Sequence, residues 1–299
     1  MIVNRIYKLQ NPPNCRLASK FVCILQVKWG FGYIMHHYTY CLILALKLNR
    51  TLIIRETITN TYTSNMKTLI RPISDTCLDQ NGDNSTTWEG MSDQTHHYYQ
   101  VINFYFNHYS KVYLQDMRKL TQFNIELQSQ FSQPLSLFIG LLLRYLMRPT
   151  LELSRYYDNY KQRIQWKHPI VGPHVRRTDK LWVEAKYHSM DEYIKYVDQL
   201  VYLATDEPNV WLNELSPYIE RQIEFTGDPH ISRKAFNNIR NSYESIRDLI
   251  VEVLVLSECD YIVCTFSSNV CRLGFELRMS RINNSLAFQS LDKKYYYNP

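Results

Sequence analysis

Residues 168–184 (HPIVGPHVRRTDKLWVE) concentrate side chains that can handle an anion and a proton. Arg176 and Arg177 carry guanidinium forks, which bind phosphate oxygens bidentately and stay charged at any working pH. Adjacent arginines are often merely solvated. Here a short β-rich run, His168 to Val175, precedes them and Lys180 follows, which puts the pair at a strand end where an anion can dock. Glu184 lies in the segment leaving the same strand end and is a candidate base for removing a proton from an attacking hydroxyl. Spacing alone favours reading it as a solvent-facing glutamate.

Other chemistries lack their residues. No G-x-G-x-x-G and no Walker loop is present, so dinucleotide and P-loop readings have no support. No Asp-x-Asp occurs to hold a divalent ion on a nucleotide sugar, so arginine would have to neutralise a departing diphosphate. Asp79-Gln-Asn81-Gly-Asp83 starts like a calcium loop. It has Asn84 at the glycine position and Gly90 at the twelfth, so it reads as a polar turn. The doublets His36-His37 and His96-His97 send neighbouring imidazoles in divergent directions, unlike an i, i+4 metal pair, and one of each is expected to be buried and hydrogen-bonded. Seven cysteines without a C-x-x-C pair favour disulfides over metal and argue against the cytosol. Three sequons, at Asn49, Asn84 and Asn283, are compatible with a secretory compartment.

The elements that would position these groups can be read from hydrophobic period. Residues 36–56 read as an apolar helix running into a strand at Thr51–Ile54, residues 76–97 as a long polar loop, and 98–165 as mixed with a helix near 135–148. Beyond Lys167 come a helix at Met190–Leu200, strands at Val201–Thr205 and Gln222–Phe225, and a helix from about Ser242 capped by Asn241. A strand at Tyr261–Phe266, a helix at Val270–Met279 and a short strand at Leu286–Phe288 complete the pattern. Alternating strands and helices imply a parallel, doubly wound α/β sheet, whose ligands sit beyond the carboxyl ends of its strands. Those ends carry His174 to Lys180, Thr205-Asp206-Glu207, Thr226-Gly-Asp228 and Thr265 to Ser268, and all should converge on one crevice suited to a phosphorylated, sugar-bearing ligand.

Composition agrees with that picture. The 299 residues make about two domains, expected at 1–166 and 167–299. With 45% hydrophobic and 21% charged residues and only 8 glycines, disorder and glycine-rich fibres are excluded. A net charge of +6 is spread along the chain, which suits an anionic ligand without demanding nucleic acid. The 24 tyrosines fit surfaces that bind hydroxylated ligands. The longest apolar stretch, Leu135 to Met147, is interrupted by Arg144 and stopped by Pro149, so it reads as a buried helix and not a membrane span. The first residues lack the apolar core of a signal peptide.

HPIVGPHVRRTDK, VYLATDEP, SECDYIVCTFSSNVCR and FQSLDKKYYY resemble the catalytic domain of the alpha-1,6-fucosyltransferase (core fucosyltransferase) family, and LQNPPNC, WGFGYIMHHYTYC, RTLIIRE and IRPISDTC are similar to its amino-terminal half. The resemblance implies a GT-B-like pair of domains, an open α/β domain followed by a Rossmann-like one that holds most of the donor. It implies inverting, metal-independent transfer of fucose from GDP-fucose to the 6-hydroxyl of the innermost N-acetylglucosamine of an N-glycan. By resemblance Arg176 holds the diphosphate, supported by Arg177; Glu184 is the base and Lys180 its relay neighbour. His174 and Glu252 contact guanine; Asp206, Glu207 and Ser268 line the donor pocket; Gly32 brings backbone to the diphosphate; Tyr62 meets the ribose. The implied disulfides are Cys15–Cys77, Cys23–Cys41 and Cys264–Cys271, with Cys259 free. The implied setting is the Golgi lumen, with GDP-fucose and N-glycans of glycoproteins as partners, no cofactor or metal, and a homodimer as an option.

The chain also departs from the family. Glu207 and Glu252 stand where the family has aspartate, Trp29 and Tyr33 where it has a cysteine pair, and helix meets strand at Leu200–Val201 without the usual loop. The family's anchor, coiled-coil stem and SH3-like domain are not among these residues, so the chain is expected to be an incomplete version. Two rival readings therefore stand beside the enzyme: an inactive GDP- or glycan-binding remnant, and a fucosyltransferase acting on chitin-type oligosaccharides.

Overall fold

The computed structural model describes residues 2–26, 30–57, 61–89, 95–105, 134–178, 186–236, 239–282 and 287–295. They divide into two compact units, one of residues 1–63 and 70–148, the other of 64–69 and 149–299. The boundary thus falls at Arg148–Pro149 and not between 166 and 167.

The first unit holds α1 (Ile2–Gln10), β1 (Lys20–Leu25), α2 (Phe31–Lys47), β2 (Thr51–Glu56), the start of α3 (Thr61–Leu69), β3 (Ser85–Thr87), β4 (Val101–Tyr105) and α4 (Pro134–Leu146). Its sheet is parallel throughout in the order β2-β1-β4-β3. Central β1 is buried on both faces, as a parallel strand covered by helices must be. Helix α2 is apolar nearly all round and is buried accordingly. The Cys23–Cys41 disulfide ties it to β1, and Cys15–Cys77 closes a second loop. The region 76–97 is not all loop, because Ser85–Thr87 adds a short edge strand. Strand β4 was hidden in the aromatic–polar alternation after residue 98. In the stretch from Asp79, Asp79 Oδ1 accepts Asn81 N–H at 2.9 Å, and the fully buried Lys20 donates to Asn81 O at 2.5 Å. His36 and His37 are both buried, each with Nδ1 on a carbonyl one turn earlier at 2.7 Å, where only one of the pair was expected to be. His97 is exposed, and the His96 side chain lies outside the described residues.

The second unit runs α5 (Leu151–Arg163), β5 (Val171–Val175), α6 (Met190–Ile194), β6 (Leu200–Tyr202), β7 (Ala204–Thr205), a π-helical turn (Val210–Glu214), α7 (Ser216–Ile219), β8 (Glu224–Thr226), α8 (Pro229–Phe236), α9 (Tyr243–Leu256), β9 (Tyr261–Cys264), α10 (Asn269–Met279) and β10 (Phe288–Ser290). Its sheet is parallel in the order β10-β9-β5-β6-β8, with β7 beside β5. The chain builds outward from β5 through β6 to β8, then returns to lay β9 on the other side of β5. The strand order therefore reverses between β5 and β9, the point at which doubly wound sheets bind ligands. Gly172 on β5 admits no side chain, since a Cβ would stand 2.6 Å from Cys259 Sγ at the end of α9. Gly227 after β8 has φ +138°, a conformation closed to other residues.

Several boundaries move. The helix expected to reach Leu200 ends at Ile194 and the strand begins at Leu200, so residues 195–199 form a connection of ordinary length where helix was expected to meet strand directly. The strand at 201–205 is split: Pro173 has no N–H to give the ladder, and the pairing lapses opposite it at Leu203. Gln222 is a turn residue at φ 65°, which delays β8 to Glu224. The cap of α9 is Ser242, whose hydroxyl accepts Ser245 N–H at 3.2 Å; Asn241 lies one residue outside. Strand β9 stops at Cys264, and β10 begins at Phe288, with Leu286 outside the described residues.

Candidate active site

Asp206, just beyond β7, is the hub of the strand-end cluster. Its Oδ1 accepts Arg177 N–H at 2.9 Å, while Oδ2 accepts the Arg176 guanidinium, the Thr178 hydroxyl and, at 3.4 Å, Thr178 N–H. The sheet makes this possible: β5 and β7 pair in register through Val175–Thr205, so the residues after each strand leave side by side. The Thr205 hydroxyl donates to Val175 O at 2.8 Å and accepts Glu207 N–H at 3.1 Å, which sets the turn. Glu207 is thereby aimed along the chain, where it accepts Asn209 N–H at 3.0 Å.

The two arginines separate. Arg176 stays with Asp206 and Thr178 and keeps a little solvent exposure. Arg177 turns into the protein, donating to Glu214 at 2.5 Å and to His188 O at 2.8 Å, with its guanidinium 4.5 Å from the Tyr187 ring centroid. Its partners are thus protein atoms on other segments, Glu214 in the π-helical turn and Tyr187–His188 ahead of α6.

His174 is 3% exposed, and its Nδ1 has no hydrogen-bond partner among the described residues. Burial, with the Arg176 charge adding to it and Asp206 opposing it, pushes its pKa down to about 4, so the ring is neutral at pH 7. Glu252 on α9 is the converse. Burial first, then the carboxylates of Asp206, Asp248 and Asp228, push its pKa up to about 8 against the pull of Arg176. At neutral pH it is mostly a protonated acid, able to donate a hydrogen bond. Asp248 and Asp228 are themselves paired, Asp248 with Lys234 at 2.5 Å and Arg247 at 3.0 Å, and Asp228 with Arg163 at 2.8 Å.

Across the point of strand reversal lies the segment after β9. Thr265, Ser267 and Ser268 are buried, and the Thr265 hydroxyl has no partner among the described residues. Ser268 caps α10 without a side-chain bond to the helix. The first-turn N–H groups of a helix lack intrahelical acceptors and favour an anion. The Cys264–Cys271 disulfide bridges this loop, Cys15–Cys77 and Cys23–Cys41 form as expected, and Cys259 is a buried free thiol.

The second unit thus brings together His174, Arg176, Asp206 and Glu252, which influence one another electrostatically, with Ser268 at the neighbouring strand end. Gly32 and Tyr62 belong to the first unit, in the first turns of α2 and α3. Lys180 and Glu184 lie outside the described residues, as does Trp29. Sequence reasoning missed Asp292, which accepts two backbone N–H groups of the loop after β9; its signal was an acidic residue directly beyond the last strand. No group of three or more His, Cys, Asp and Glu side chains is placed to share a metal ion among the described residues.

Residues 1–296 match the family model described as alpha-(1,6)-fucosyltransferase N- and catalytic domains. An alpha-(1,6)-fucosyltransferase of Drosophila melanogaster is 30% identical over 312 residues, covering 99% of this chain and 50% of that protein. The chain spans about half the length of the curated relatives it matches. Among solved structures, FUT1 of Arabidopsis thaliana in complex with GDP is similar with a TM-score of 0.56 at 15% identity, over 92% of this chain and 72% of that one. NodZ alpha-1,6-fucosyltransferase soaked with GDP-fucose is similar with a TM-score of 0.51 at 14% identity, over 87% and 92%. At such identity these likenesses establish the fold, a GT-B-like pair of α/β units.

Proposed function

The chain belongs to the alpha-(1,6)-fucosyltransferase family, and on that premise we propose that it moves fucose from GDP-fucose to the 6-hydroxyl of the innermost N-acetylglucosamine of an N-glycan, with inversion and without a metal ion. The observation that carries the reading is the cluster where the strand order reverses. A neutral His174 with an unpartnered Nδ1, an Arg176 braced by Asp206 and a protonated Glu252 stand beside the opening of α10.

In this reading the neutral imidazole and the protonated Glu252 hold the guanine edge, one offering an acceptor or donor and the other a donor. Arg176, Ser268 and the α10 N-terminus take the diphosphate. Asp206 and Glu207 shape the pocket, and Asp206 also keeps the Arg176 fork in one orientation. Gly32 lends backbone N–H to the diphosphate, and Tyr62 meets the ribose. Glu184 removes the proton from the acceptor hydroxyl as it attacks, and Lys180 carries that proton onward. The glycosidic C–O bond breaks as the new one forms on the opposite face, and GDP leaves with its developing charge against Arg176. The three disulfides support a lumenal, Golgi setting, where N-glycans of glycoproteins are the acceptors and a homodimer is compatible.

Incubation with GDP-fucose and an N-glycopeptide should release GDP and add fucose to the peptide, equally in the presence of EDTA. GDP binding without transfer would instead favour the inactive remnant. Preferential transfer to chitin-type oligosaccharides would move the acceptor assignment.

A further inference from the structure

The loop between β9 and α10 carries Ser268 and is held from outside by one carboxylate. Asp292, in the turn after β10, accepts Phe266 N–H on Oδ1 at 2.7 Å and Ser267 N–H on Oδ2 at 3.2 Å. The Ser290 hydroxyl donates to the same Oδ1 at 3.1 Å and also accepts Phe266 N–H at 3.3 Å. Leu291 N–H reaches Cys264 O at 2.9 Å, and the Cys264–Cys271 disulfide closes the loop's other side. Two consecutive N–H groups aimed at one carboxylate hold this segment in one arrangement, because without it Ser267 N–H would be a part-buried donor lacking its acceptor and Phe266 N–H would keep only the Ser290 hydroxyl. Burial would raise the Asp292 carboxyl, but hydrogen bonds from Ser267, Lys293 and Ser290 hold it below the ordinary range, so it is ionised at neutral pH. Its charge reaches Tyr193, a buried phenol that also feels Arg177 and Asp206.

We propose that Asp292 is a positioning residue for the donor's diphosphate: it fixes residues 265–268 so that Ser268 and the first N–H groups of α10 face the anion, without touching the donor itself. The inference rests on the donor-site reading above and adds a selective consequence. The guanine contacts assigned to His174 and Glu252 sit on β5 and α9, which Asp292 does not anchor. Loosening the loop therefore costs phosphate recognition and spares nucleoside recognition.

The test compares GDP with guanosine by ligand-observed NMR titration of the parent, Asp292→Asn and Ser290→Ala, with melting temperatures measured alongside. Asparagine keeps one oxygen for Phe266 N–H and offers an amide to Ser267 N–H, so Asp292→Asn should weaken GDP by about tenfold, the scale of one hydrogen bond. Guanosine affinity should be unchanged. Ser290→Ala should show the same selectivity with a smaller loss, of about threefold, and carries the test if Asp292→Asn fails to fold. Variants that weaken both ligands equally, or neither, overturn the positioning role while leaving the donor site intact. A parent that binds neither GDP nor guanosine overturns the donor-site reading and this inference with it.

Discussion

At the scale of single residues the site is an arrangement of shifted protons around one ion pair. Arg176→Lys keeps the charge and can still meet Asp206, but it gives up the planar fork. Turnover should fall by about a hundredfold, the loss typical of one donor to a developing oxyanion. The melting temperature should barely move, and an unchanged rate would place the diphosphate elsewhere. Glu252 and His174 make opposite contributions to stability. A histidine lowered to about 4 from 6.5 favours the folded state fully above pH 6.5 and loses that support as pH falls toward 4. A carboxyl raised to about 8 from 4.5 favours the folded state fully below pH 4.5 and loses that support as pH rises through 8. The two slopes offset between pH 4.5 and 6.5, so only the Glu252 slope remains above 6.5. From there to pH 8 the parent should lose about 2 kcal/mol, at roughly 1.4 kcal/mol per pH unit for one proton. Glu252→Gln cannot ionise and should flatten that decline in thermal melts; an unaltered slope would show that Glu252 is charged in the folded protein.

At the scale of elements, burial decides which cysteine reacts. Cys259 ends the α9 segment against Gly172 with no exposed surface, and burial pushes its thiol well above the ordinary range. A thiol reagent should find no reactive cysteine in the native protein from an oxidising compartment and one after denaturation. Reduction should lower the melting temperature, since disulfides of this kind contribute about 2–4 kcal/mol each. Free Cys15 or Cys264 in that protein would refute the pairing. The elements most legible in the sequence were those with a strong apolar period, such as α4 and α9, and the strand ends that place His174, Arg176 and Asp206 together. Helix α5 escaped because only Leu153 and Tyr160 on it are fully buried. It is held instead by polar links that no local period encodes: Tyr156 to Asp248 at 2.8 Å, Arg163 to Asp228 at 2.8 Å and Lys161 to Glu258 at 2.5 Å. The end of α6 was misread because Tyr196 and Val197 continue the apolar pattern while serving the core from a turn. The Arg177 partners Glu214 and His188 were invisible for the same reason, being distant along the chain.

At the scale of the whole molecule, the two units face different demands, and the donor reading assigns them unequal shares. That reading draws on His174, Arg176, Asp206, Glu252 and Ser268 of the second unit, whereas Gly32 and Tyr62, named by resemblance, belong to the first and lie near helix starts. A ligand that binds only the folded state stabilises it by mass action, about 2.7 kcal/mol at a hundred times its dissociation constant. That stabilisation is local wherever amides open locally. Saturating GDP should therefore slow hydrogen exchange most at residues 174–178, 205–207 and 265–270. The first-unit strands β1, β2 and β4 should change little, because their ladders are closed by backbone pairing that the nucleotide does not touch. Because Asp292 anchors 265–268 through backbone N–H groups, amides of Phe266 and Ser267 should already exchange slowly without ligand, whereas those opening α10 should gain protection only with it. Protection concentrated on β1 and β2, with none beyond β5 and β9, would move the nucleotide to the first unit and remove Arg176 from its role.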